Sequence, residues 1–165
     1  MDTAMLSPTR TRASSRGFSF IEIIVVIAIF SLIATVGLQS FSLFKKNLDL
    51  NAATDTAVSL LSQARSKTVA AEEGAQYGVH FESGAMVSFA GTSYIPGAIG
   101  NEQFFLPTTV EMATIAVSGG GSDVIFEKLT GETTRDGTIT FRLKSDTSRV
   151  RTVLILATGL ASMEE

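Results

Sequence analysis

The chain has no cysteine, no tryptophan and a single histidine among its 165 residues. Without cysteine there is no disulfide framework, no zinc ribbon and no thiol nucleophile. With only His80, a multi-histidine metal site is excluded, and a Ser-His-Asp device has one imidazole to use. Charge is sparse too. Charged residues make up 18% of the chain, against about 25% in an average soluble domain. The formal net charge is -3, from 13 basic and 16 acidic side chains. That balance disfavours a strongly basic nucleic-acid binder but leaves room for a local basic patch. Glycine is nearly missing from the first part. Of 14 glycines, only Gly17 and Gly37 precede residue 70.

What is present is unevenly placed. From Phe18 to Leu38 the sequence is apolar with one charge, Glu22. As a helix this run is roughly 30 Å long, the thickness of a bilayer core. Before it lies a polar leader, residues 1–17, with Arg10, Arg12 and Arg16 against Asp2. After it come Lys45 and Lys46 and a largely polar chain. The helical pattern continues there. Leu50, Ala53, Ala57, Leu60, Leu61, Ala64 and Thr68 recur at spacings of three and four, one face for a core. Lys46, Asp49, Asp55, Gln63 and Lys67 fall on the wet side. The spacing predicts one helix from Phe18 to about Ala71, ~80 Å long if continuous, ended at Glu72-Glu73-Gly74.

The Gly-rich remainder reads as short strands and turns. Residues 77–81 and 86–90 flank Ser83-Gly84 as a hairpin. Further strands are expected at 110–117, 124–129, 138–143 and 152–156, with turns at Gly119-Gly120-Gly121, Thr130-Gly131, Asp136-Gly137 and Thr158-Gly159. The expected fold class is α+β: a long N-terminal helix, apolar all round in its first half and amphipathic in its second, packed on an antiparallel sheet. The expected divisions are 1–17, 18–38, 39–73 and a β-rich head at 74–165.

Three accounts of the N-terminus compete. A secretory signal peptide has an apolar region of about 7 to 15 residues and a small-residue cleavage site; this run is longer and no clear A-x-A site follows. A plain single-span anchor with its arginines in the cytoplasm explains the run but not its details. The third account rests on Arg16-Gly17-Phe18-Ser19-Phe20-Ile21-Glu22. This segment resembles the cleavage motif of type IV prepilins and type II secretion pseudopilins. The resemblance implies that a prepilin peptidase cuts between Gly17 and Phe18 and methylates the Phe18 amine. It also implies an assembly role for Glu22. A lone carboxylate in a membrane helix costs on the order of 2.5 to 3.5 kcal/mol on insertion scales, and near the membrane edge it can reach the headgroups. Among the packed tails of a filament it needs a partner, and the resemblance supplies the Phe18 ammonium of a neighbouring subunit, which exists only after cleavage. Ser31, Thr35, Gln39 and Ser42, with Ala28, Ala34 and Gly37 nearby, form a stripe that permits close helix approach; such residues are equally ordinary in membrane helices. Many relatives have proline in mid-tail, whereas this chain has proline only at 8, 96 and 107.

The head carries no convincing catalytic constellation, so the chain is read as no enzyme and without cofactor or metal. His80 sits in an alternating run and is expected to face out of a strand. The glycine run at 119–121 lacks the Lys-Ser/Thr of a P-loop. Major pseudopilins carry a calcium loop, and no matching carboxylate run is found. The segment from Asp123 through Thr130-Gly131, the Gly137–Phe141 segment, Val153–Gly159 and Leu61-x-x-Ala64-Arg65 resemble, more loosely, the GspH/FimT type of minor pseudopilin and minor pilin. The lack of cysteine fits pseudopilins better than major pilins with a C-terminal disulfide.

The resemblance implies a structural filament subunit, inserted once in the bacterial inner membrane with its leader cytoplasmic and its head outside. The partners implied are the prepilin peptidase, other pilins or pseudopilins and the assembly platform. One rival is a DNA-binding minor pilin, through Arg142, Lys144, Arg149 and Arg151. Removing the leader takes away three arginines and one aspartate, leaving 10 basic against 15 acidic side chains. That disfavours nucleic acid, and the four residues also read as the solvated face of a hairpin.

Overall fold

A computed structural model describes residues 17–164, apart from the side chains of residues 36–40. The leader residues before Gly17 lie outside the described residues. Helix α1 spans Phe20–Val69, and a 3-10 turn follows at Glu72–Gly74. Eight strands come next: β1 Tyr77–Glu82, β2 Ala85–Ala90, β3 Glu102–Phe105, β4 Val110–Val117, β5 Asp123–Ile125, β6 Gly137–Leu143, β7 Asp146–Ile155 and β8 Ala161–Glu164. The fold class is α+β, as the sequence implied. The chain divides after Ser40 into two units.

In the first unit α1 buries nothing. Every described side chain from Gly17 to Thr35 is exposed, including Phe18 at 80% and Leu32 at 71%. The hydroxyls of Ser31 and Thr35 donate to the carbonyls of Ile27 and Ser31, one turn back, at 2.8 and 2.7 Å. The hydroxyl protons of Ser31 and Thr35 are thus spent within the helix. Among the described residues, no helix is long and apolar enough to cross a membrane. The expected span of 18–38 runs into residues whose side chains lie outside the described set. Its described side chains stop at Thr35, short of the ~20 apolar residues a bilayer core requires. Gly37 and Gln39, part of the stripe expected to permit close helix approach, lie among the undescribed side chains.

In the second unit α1 becomes the spine of a core. Leu50, Ala53, Ala57, Leu60, Leu61, Ala64 and Thr68 are all buried, as their spacing predicts, and Thr54 joins them. The strands do not form one sheet. They form two four-stranded antiparallel sheets, ordered β3-β2-β1-β5 and β4-β6-β7-β8. Val79, Phe81 and Val124 from the first sheet, and Ile139, Phe141, Val153 and Ile155 from the second, bury against the helix face. The small alanines of α1 let strands approach it closely.

The β1–β2 hairpin turns at Ser83-Gly84 as expected, with Glu82 opposite Ala85. β3 and β8 were not foreseen. Both are four-residue edge strands with mostly exposed side chains, so neither carries an alternating apolar signal. β5 is shorter than the expected 124–129 run, because the chain turns after Phe126 and Glu127 N–H donates to Glu132 O.

Three separated sequence signals meet at the end of α1. Arg65 Nε donates to Gly131 O at 3.0 Å. Gly131 and Gly159 are both buried, with φ of 68° and 78°. A Cβ on Gly159 would sit 1.8 Å from Gly131 O and 2.9 Å from Arg65 Nε. Only glycine lets the two turns and the helix close on one another. Gly159→Ala adds this overlap to left-handed backbone strain of about 1–3 kcal/mol. The expected result is a loss of at least about 2 kcal/mol in urea unfolding of the head, with Thr158→Ala as the neutral control. Unchanged unfolding of Gly159→Ala would show that this closure is not tight.

Candidate functional site

The first candidate region is the start of α1. Gly17, Phe18 and Ser19 are non-helical, and the helix begins at Phe20. Ser19 is its N-cap: its carbonyl accepts the first intrahelical bond, from Ile23 N–H at 3.3 Å. Glu22 then lies in the first turn, where a carboxylate suits the positive end of the helix dipole. Glu22 and the Gly17–Phe18 peptide bond are all exposed.

Gly17 differs from the glycines of the head. A Cβ placed on it meets nothing within 4 Å, and its φ is not in the left-handed region. Nothing among the described residues requires glycine there. Its place in an exposed, non-helical segment is the backbone state that proteases cut most readily.

The second region is the basic set. The structure separates its members. Arg142 stands directly opposite Glu111 across β6 and β4, with Nε 2.6 Å from Glu111 Oε1. Its strand neighbours Phe141 and Leu143 are buried, so it projects from the other face of the sheet. Arg149 and Arg151 instead line a cleft of about 350 Å³ with Asn47, Leu50 and Asn51 of α1. Arg151 Nε donates to Asn51 Oδ1 at 3.2 Å. Arg149 Nε lies 3.7 Å from Asp146 Oδ2. Lys144 is exposed in the β6–β7 turn.

That turn has its own local order. Asp146 Oδ1 accepts hydrogen bonds from Ser148 N–H at 3.2 Å and Ser148 Oγ–H at 2.6 Å. These bonds hold the Asp146 carboxyl below the usual carboxylate range, with a smaller contribution from Arg149.

Sequence reasoning placed His80 on the outward side of a strand. The structure covers it there. His80 Nδ1 lies 2.5 Å from Asp123 Oδ1, its ring stacks on Tyr94 at 4.0 Å, and Glu82 Oε1 is 3.7 Å from Nε2. Burial, then the Glu82 carboxylate, pushes the Tyr94 phenol up. The cluster fastens the β2–β3 loop to the first sheet. Nothing in the sequence separation of His80 and Asp123 foretold their pairing, which follows from β1 and β5 being neighbours. Among the described residues no group of three His, Cys, Asp or Glu side chains is placed to hold a metal ion.

Comparison with known proteins bears on the first region and on the fold. The family model of the prokaryotic N-terminal methylation motif matches residues 12–38. The resemblance seen at Arg16–Glu22 is that motif. Two crystal structures share the fold, both of the type IV minor pilin FimU of Pseudomonas aeruginosa strain PAO1. The form in space group P21 aligns with a TM-score of 0.56 at 15% identity, over 74% of this chain and 92% of FimU. The P65 form gives 0.51 at 14% identity, over 70% and 93%. No curated protein sequence matches the chain.

Asp146 provides a direct check of the turn geometry. Because its folded pKa lies below the unfolded value, its stabilising effect is complete above the unfolded value, near pH 4. That effect is lost as pH falls through the lower, folded one. In an NMR titration the Asp146 carboxyl should have its midpoint below 3.8, and Ser148→Ala should move it upward. A midpoint unmoved by Ser148→Ala would show that the Ser148 bonds do not set it.

Proposed function

We propose that this chain is the precursor of a structural subunit of a type IV pilin-type filament. The carrying observation is Gly17, a glycine with no role in the described fold, at the head of a methylation motif and an uncovered apolar helix. Residues 1–17 are the leader. Prepilin peptidase cuts between Gly17 and Phe18 and methylates the new Phe18 amine. Residues 18–38 hold the subunit in the inner membrane and later join the filament core, 39–73 continue the helix along the head, and 74–165 form the rest of the head. The head lies outside the cytoplasm.

Physical chemistry supports each step. A contiguous apolar surface far beyond a few hundred Å² is untenable in water and marks a membrane or protein contact. Lipid satisfies it first, and neighbouring helices satisfy it in the filament. Glu22 then needs a cation, and cleavage generates one at Phe18. The FimU-like fold favours a minor subunit, present in small numbers and helping assembly begin, in either a surface pilus or a type II secretion filament. The assembly platform extracts it from the membrane. The work is mechanical, not catalytic.

Two measurements test this reading. Mass spectrometry of the protein from its native host should show a chain starting at methylated Phe18; an intact leader there would overturn it. Glu22→Val should be cleaved at Gly17 nearly as well as the native precursor but enter filaments at least about tenfold less, and normal incorporation would refute the pairing.

A second reading, DNA capture, is favoured by one observation: Arg149 and Arg151 line the same cleft. It predicts a salt-dependent DNA mobility shift by the head that Arg149→Glu with Arg151→Glu abolishes. No shift at low salt ends it.

A further inference from the structure

We propose that the cleft between α1 and β7 binds the phosphate of an anionic phospholipid, seating the head on the surface of the membrane that holds the chain. This rests on the proposed membrane attachment through residues 18–38.

Charge is unevenly spread over the head. From Phe41 onward the chain carries 10 basic against 14 acidic side chains, so the head as a whole is repelled by an anionic surface. Half of the basic ones gather at one place. Lys45 and Lys46 are on α1, and Arg149 and Arg151 line the cleft with Asn47 and Asn51 of that helix. Lys144 stands beside them: its backbone N–H donates to Thr109 O, and the Thr109 hydroxyl donates to Asp49 Oδ2 at 2.7 Å. The acids nearby are engaged. Asp49 accepts that Thr109 bond, and Asp146 accepts two from Ser148. Among the described residues no carboxylate lines this cleft. Asp55 and Glu164 line the adjoining cleft that shares Asn51 and Arg151 with it.

The donors suit a phosphate. The described contacts of Arg149 and Arg151 go through Nε, to Asp146 and Asn51, which holds each guanidinium by one corner. The terminal nitrogens form the fork that meets phosphate oxygens in pairs. The surroundings suit a lipid in particular. Leu43 and Phe44 lie one helical turn before Asn47 on the same face, and both are exposed. Apolar side chains beside cations match a bilayer interface, with the apolar groups among acyl chains and the cations at the phosphates. A nucleic acid would meet the arginines but leave Leu43 and Phe44 in water. Attachment also makes a weak site sufficient. Lys45 follows the proposed membrane segment by seven residues, so the head meets the bilayer at high effective concentration. Near an anionic surface each cation then favours docking about fivefold.

The test uses the full chain in nanodiscs of phosphatidylcholine, with and without phosphatidylglycerol. Because the chain lacks cysteine, Ser145→Cys in the exposed β6–β7 turn gives a single labelling site. A fluorophore there is quenched by lipids with a nitroxide headgroup when the head is docked. Phosphatidylglycerol should raise the docked-to-free ratio at least about tenfold. Arg149→Gln with Arg151→Gln should abolish that gain without changing circular dichroism. Arg142→Gln, at a residue that pairs with Glu111 on the other face of the sheet, should retain it. Equal quenching in the two lipids overturns the inference. So does a gain that survives the double substitution, or one that Arg142→Gln removes equally, since net charge alone would then be at work. Inorganic phosphate at the same phosphate concentration should leave the head docked; release by it would show a site for free phosphate and overturn the lipid assignment. A DNA mobility shift with no phosphatidylglycerol effect would give the cleft to nucleic acid instead. A chain that does not enter nanodiscs at all is a different result: it refutes the membrane reading, and this inference with it.

Discussion

The head depends on one apolar stripe. Each of its two sheets turns an apolar face to the core, and the first is also covered on its other face, where Val87 and Phe89 are buried. The second part of α1 supplies a common surface, with Ala53, Ala57 and Ala64 small enough for close approach and Leu50, Leu60 and Leu61 filling the space between. Thr68 extends the arrangement past the helix end. Its hydroxyl donates back to Ala64 O and accepts from Tyr77 N–H, so the last helical turn and the first strand share one buried oxygen. The same stripe makes the head self-contained: every buried side chain among the described residues lies at Leu50 or beyond.

Charge and glycine are then distributed by consequence. Between Phe18 and Ser40 the one charged residue is Glu22, and elsewhere charge concentrates where water reaches. Glycines cluster where the chain must reverse direction, and a Cβ would strike neighbouring backbone at Gly137, against Ala116 O at 2.0 Å, and at Gly159, against Gly131 O at 1.8 Å. Arg65 closes that junction by donating to a turn 66 residues away.

Much of this was legible in the sequence, for definite reasons. The buried face of α1 was readable because a helix repeats every 3.6 residues and seven core positions obeyed that period. The β1–β2 hairpin was readable because two alternating runs flanked Ser83-Gly84. Gly17, Phe18 and Glu22 were readable because three unusual residues stand at fixed spacing. β3 and β8 were not, because an exposed edge strand has no apolar alternation to detect. The division into two sheets was hidden because pairing order is a long-range property. The basic residues show the same limit: Arg142 and Arg151 are close in sequence, yet a strand alternates its faces, and only the sheet reveals that one meets Glu111 while the other meets Asn51.

Gly17 also marks a class of position that stability measurements miss. Substituting it should leave melting temperature, expression and spectroscopy of the precursor unchanged, since no atom of the described fold touches a side chain there. The defect would show only in what the molecule becomes. Surveys that rank residues by folding energy would score it as dispensable, whatever its part in the proposed processing.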